Sequence, residues 1–174
     1  MSIRPKPKLV VLAVIVAVVL LGLASGAYFL WQKYSSPIPA SIRPEITFPI
    51  FYPSNASVKV NRSTIEYDKS GQVLSFSGNT LTGSHTKLIF SEEPTPDPFN
   101  DITGYYSALL NDMNEYDDFS TINGTVYLTT PKNLNGNQSA VMNTEGNLMF
   151  IRADGDLATN TWETIFNGLN IVVK

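Results

Sequence analysis

An uncharged apolar block occupies residues 9–31, opening on Leu9 and closing on Trp31, and it constrains the chain more than any other feature. Its length of about 23 residues is enough for a helix to cross a bilayer core, which takes roughly 20. A helix satisfies its own backbone hydrogen bonds, which lipid cannot do. Arg4, Lys6 and Lys8 precede the block without an acid among them, and Tyr28, Trp31 and Tyr34 cluster at its far end. Basic residues before and an aromatic belt after predict a single-pass anchor with a cytoplasmic N-terminus and the C-terminal part outside. The small residues Ala24, Ser25, Gly26 and Ala27 resemble a signal-peptidase site, but the apolar run continues beyond them, so the expectation is a retained helix. Gly22 and Gly26 form a GxxxG on which two such helices could approach.

The remainder is polar, with Ser, Thr and Asn abundant and Pro and Gly dispersed, the profile of many short strands joined by turns. No cysteine is present, which excludes disulfides, thiolate metal sites and cysteine nucleophiles and favours a bacterial envelope setting. The single histidine, His85, cannot build a multi-histidine metal site. Net charge is −3. Setting aside the three N-terminal cations leaves about −6 on the rest, a sign that repels phosphate backbones and argues against nucleic-acid binding.

The expected organisation is a basic segment at 1–8, a transmembrane helix at 9–31, a Pro/Ser spacer at 32–45 and an extracytoplasmic domain at 46–174. In the spacer, Pro37, Pro39 and Pro44 favour extended backbone. Beyond it, Phe48 to Pro53 reads as a first, edge strand because of its prolines. Ile65 and Tyr67 alternate before the turn at Asp68, Lys69, Ser70 and Gly71, and Leu74 and Phe76 then share a face. Further strands are expected at 87–91, at 125–130 with Val126 and Leu128 inward, at 139–143 and at 148–152. The unbroken Leu148, Met149, Phe150 and Ile151 read as buried on both faces.

Two helices are expected. One covers 102–113, with Tyr105, Tyr106, Leu109, Leu110 and Met113 at helical spacing. In the other, Asn160 and Glu163 have capping-box spacing, and Trp162, Ile165, Phe166 and Leu169 fall on one face above Phe150. The expected fold class is therefore α+β: an N-terminal transmembrane helix, then an antiparallel sheet carrying about two packed helices. The segments FPIFYP, YDKSGQVLSF, KLIFSEEPTP and LMFIRADGD together resemble uncharacterised single-pass membrane-anchored envelope proteins of small-genome bacteria. That resemblance implies the topology over about 46–173 and no activity.

Candidate chemistry is sparse. His85 has only an adjacent Ser84, which is poor geometry for a catalytic pair, and reads as an exposed loop residue. Asp154, Gly155 and Asp156 open like a calcium loop, but Ala158 stands where a ligand oxygen is needed, so they read as a turn. No basic residue lies between Lys87 and Lys132, while Glu92, Glu93, Asp97, Asp101, Asp112, Glu115, Asp117 and Asp118 do. Within this acidic tract Asp112, Glu115, Asp117 and Asp118 are the candidate metal ligands, and a cation or an envelope protein its candidate partner. The functional expectation is a non-catalytic module that binds an envelope partner, a glycan or a cation, with no cofactor. The alternative is an envelope hydrolase built on two carboxylates.

Overall fold

Alternation of apolar and polar residues dominates the chain beyond residue 46, and it folds as strands. A computed structural model describes residues 36–83, 85–95, 113–131, 137–144 and 146–172, with the backbone alone for 113–116 and 130–131. In chain order the strands are β1 (Ile50–Pro53), β2 (Val58–Asp68), β3 (Val73–Thr80), β4 (Lys87–Glu93), β5 (Met113–Thr121), β6 (Gly124–Pro131), β7 (Ser139–Thr144) and β8 (Asn147–Ala153). Helix α1 (Thr159–Asn167) and β9 (Leu169–Val172) follow, and a short 3-10 turn at Arg43–Glu45 precedes them all.

Two antiparallel meanders join into one seven-stranded sheet of order β2-β3-β4-β8-β7-β6-β5. The seam pairs β4 with β8, with Phe90 opposite Ile151. Strands β1 and β9 form a separate antiparallel ribbon in which Ile50 faces Val172 and Pro53 faces Leu169. One sheet face carries Leu74, Phe76, Leu88, Phe90, Val126, Leu128, Ala140, Met142, Met149 and Ile151, all buried. These cluster with Ile50, Phe51 and Tyr52 of the ribbon and with Trp162, Ile165 and Phe166 of α1. A ring ladder runs through them, Tyr52 stacking on Phe76 at 5.4 Å and Phe76 on its cross-strand partner Phe90 at 4.6 Å.

Two corrections concern fold class and placement. The described fold is mostly β, with a single α-helix among the described residues, rather than α+β with two. Residues 102–112 lie outside the described residues, and Met113, expected to close the first helix, instead opens β5. Among the described residues no helix is long and apolar enough to cross a membrane. The nine residues of α1 reach about 14 Å at 1.5 Å per residue, half of a hydrocarbon core. The single-pass reading, with its transmembrane helix, cytoplasmic N-terminus and outer domain, is corrected on that finding. Residues 9–31, including Gly22 and Gly26, lie outside the described residues.

Smaller differences are equally physical. Ile38 is buried in the core and Ile42 packs against it, so the stretch read as a spacer contributes packing there. Helix α1 starts one residue earlier than its expected cap. Ala158 is the N-cap and Asn160 sits inside the first turn, so the expected capping box does not form. Gly168 ends the helix, its N–H donating to the Thr164 and Ile165 carbonyls. Phe150 alternates to the opposite face of β8, leaving Met149 and Ile151 on the helix side.

The β2–β3 hairpin turns on Asp68, whose Oδ1 accepts from Ser70 N at 2.9 Å and Ser70 Oγ at 2.6 Å. Those donors hold its carboxyl below the usual range. Between Asn61 and Glu66 the register of β2 shifts, and Thr64 Oγ1 accepts the Ser77 N–H at 2.9 Å. Beside this bulge a side chain at Gly78 would meet Val58 Cγ1 at 2.7 Å and the Lys59 carbonyl at 2.9 Å. The Gly78→Ala variant should therefore lose about 1 to 3 kcal/mol in a urea melt. A variant as stable as the parent would show that β2 can move away from β3 without cost.

Candidate functional site

Period-2 alternation puts Leu88, Phe90 and Glu92 of β4 on the same, inward face, so an acid enters the core with two apolar neighbours. Glu92 is fully buried. Its Oε2 accepts from the Phe51 N–H of β1 at 2.8 Å and from Asn147 Nδ2 of β8 at 2.8 Å. Asn147 Nδ2 also donates to the Pro49 carbonyl at 2.5 Å. Asn147 is itself buried, and the polar cluster bridges three elements: the ribbon, the seam strand β4 and its partner β8. Glu92 Oε1 and Asn147 Oδ1 find no hydrogen-bond partner among the described residues.

Burial raises the Glu92 carboxyl from 4.5 to about 8, and the two donors only partly offset it. At neutral pH the group is therefore mostly a neutral acid. Glu93 alternates to the other face of β4, where partial burial also raises its carboxyl. The sequence reading placed Glu92 in a charged surface tract. The alternation of residues 87–92 was the signal that it belongs to the core.

The remaining members of that tract diverge. Asp117 accepts from Thr159 Oγ1 at 2.9 Å, at the start of α1. Its neighbour Asp118 is exposed and, by strand alternation, points to the opposite face. Phe119 then returns to the α1 face and meets the Phe166 ring edge-on at 5.9 Å. Glu115 is described as β5 backbone only, and Asp112, Asp97 and Asp101 lie outside the described residues. Among the described residues no group of three or more His, Asp or Glu is placed to hold a metal ion. His85 is exposed at φ 52°, its Nδ1 3.1 Å from the Thr80 carbonyl oxygen. Asp154 and Asp156 are exposed around Gly155, whose φ of 136° makes the turn.

A groove of about 440 Å³ opens where the ribbon meets the end of α1. Ser54, Ala56 and Ser57 form one wall, and Glu163, Thr164, Asn167 and Gly168 the other. Ser54 directly follows β1, and Gly168 directly precedes β9; the Ser54 N–H donates to the Gly168 carbonyl at 2.8 Å. The two serine hydroxyls lie 3.3 Å apart, and Ser57 Oγ also bonds the Ser54 carbonyl. A side chain at 168 would press on both hydroxyls at 3.0 Å, so glycine keeps the floor of the groove open. Nothing in residue spacing announced this groove, because its walls are about 110 residues apart in sequence and meet only through the pairing of β1 with β9.

No family model matches the chain, and no curated protein or solved structure matches it.

Proposed function

We propose that this domain is a non-catalytic binding module whose ligand seat is the groove between the ribbon end and the C-terminal half of α1. The carrying observation is its lining: three hydroxyls, one amide, one carboxylate and a glycine floor within about 440 Å³. That volume is in the range of small-molecule sites, and the groups suit a hydroxylated, uncharged ligand of sugar size. Alternating donors and acceptors can satisfy sugar hydroxyls, while a single carboxylate supplies one strong acceptor.

The hydrolase reading has less support. It needs two carboxyl groups facing across a cleft, roughly 5 to 10 Å apart. Among the described residues Glu163 is the one acid lining the groove, Glu92 is closed from solvent, and Asp117 and Asp118 sit on opposite faces of β5.

The test is an NMR titration of the isotope-labelled chain with a neutral amino-sugar oligosaccharide. Amide shifts should gather on Ser57, Thr164 and Gly168, with an affinity on the order of millimolar for so open a site. Gly168→Ala, which fills the floor, should weaken binding at least about tenfold, or about 1.4 kcal/mol. Shifts confined to other surfaces, or binding untouched by that variant, would contradict the assignment.

A further inference from the structure

The ribbon is the smallest element on the sheet and is fastened to it through a group that can change charge. β1 and β9 contribute four residues each and hydrogen-bond to one another. The Phe51 N–H points away from β9 and ends on Glu92 Oε2. The Pro49 carbonyl, just before β1, ends on Asn147 Nδ2, which also holds Glu92. One carboxyl thus ties the free edge of β1, directly and through Asn147, to both strands of the central seam.

We propose that Glu92 is a proton-operated latch, neutral when it seats the β1/β9 ribbon on the seven-stranded sheet and ionised when the ribbon edge is released. The chemistry of the two states supports this. A neutral carboxyl carries its proton on Oε1 and accepts both donors on Oε2, so it places no net charge in the apolar core. After ionisation Oε1 bears charge with no donor beside it among the described residues. A buried charge in that condition must be hydrated or paired.

Among the described residues no cation is positioned to pair it. From β1 the titratable side chain is Tyr52, whose phenol is raised by burial and stays neutral; the Arg62 guanidinium of β2 offsets that rise in part, and Arg62 is itself exposed to solvent. From β3, β8 and β9 the inward side chains carry no charge, Arg152 being exposed on the other face of β8. Within β4 itself, Lys87 is exposed and Glu93 faces away. Glu163 of α1 is exposed at the groove.

Hydration is then the remaining relief, and water must enter by moving either the ribbon or the sheet. The seam is paired along six residue pairs with strands on both sides, whereas β1 has four pairs on one edge only. Local opening takes the less-bonded element. Because Ser54 and Gly168 continue the ribbon, its release would also move the groove wall. That coupling to the groove rests on the binding reading; the latch itself needs no ligand.

Hydrogen exchange of the full chain by NMR, expressed as protection factors corrected for intrinsic rates, tests the latch. Between pH 6.5 and pH 9.5 the Phe51 amide should lose protection at least about tenfold, and it should stay less protected at every pH than the Phe90 and Ile151 amides, which open only with global unfolding. In Glu92→Gln, which cannot ionise, Phe51 protection should be independent of pH. Should that variant fail to fold, the contrast between Phe51 and Phe90 in the parent chain decides alone. Phe51 protection that stays constant across this range, or that equals the protection of Phe90 and Ile151, would overturn the proposal.

Discussion

Raising the pH from 5 to 8 should reduce the folding stability of this domain by on the order of 4 kcal/mol. The sign follows from Glu92. In the unfolded chain its carboxyl ionises near 4.5, and in the folded protein near 8. Between those values the unfolded state binds fewer protons than the folded state, so stability falls as protons become scarce. The contribution is complete below pH 4.5 and is lost as pH rises through 8. Half-buried Glu93 acts in the same direction. Asp68, held low by its turn donors, acts in the opposite direction but only in more acidic solution. Urea melts at pH 5, 6, 7 and 8 read the slope, and Glu92→Gln should remove most of it. A parent chain whose stability is level or rising over that interval would mean that Glu92 is charged in the folded state.

Truncating Trp162 to alanine should cost about 3 to 5 kcal/mol. The residue is fully buried, packs at 6.3 Å from the Phe166 ring and donates through Nε1 to Gln138 Oε1 at 3.1 Å. Gln138 Oε1 also accepts the Leu157 N–H at the approach to α1. Loss of the ring therefore leaves a cavity and removes one of two donors from a single acceptor. Trp162→Phe separates the two effects: it keeps much of the volume and should cost less than the alanine change. Thermal melts of both variants give the comparison. An alanine variant melting with the parent would show that α1 is not clamped to the sheet as described.

The position of many strands was written in the sequence, and the reason is local. Leu74 and Phe76, Val126 and Leu128, and the run from Leu148 to Ile151 carry alternation or continuous apolarity that only a sheet satisfies. The turn at Asp68 and the bend at Asn123 and Gly124 supplied register. The face of α1 was equally legible, since Trp162, Ile165 and Phe166 repeat at helical spacing and all are buried.

Other features depend on distant partners and left no local mark. Strand β5 carries acids at Asp117 and Asp118, which suppress the hydrophobic signal, yet its pairing with β6 is continuous from Asp117 to Thr121. Helical spacing in the residues before Met113 drew that residue to the wrong element. The apolar block at 9–31 is long enough for a bilayer, which is why it dominated the sequence reading. Hydropathy measures only transfer to an apolar phase, and no described helix takes a membrane-spanning form. Glu92 looked like one surface acid among eight, and only the partner atoms from β1 and β8 reveal its role. The groove required two chain segments brought together by the ribbon.

A neutral Glu92 seating the ribbon underlies the sheet junction, the groove wall and the latch alike. It is tested most directly by following the Glu92 side-chain carboxyl carbon by NMR as the full chain is titrated. The midpoint should lie near 8, with the Phe51 amide resonance shifting at the same pH. A midpoint in the ordinary carboxylate range near 4.5 would place a charged or solvent-exposed group at this junction and contradict the account.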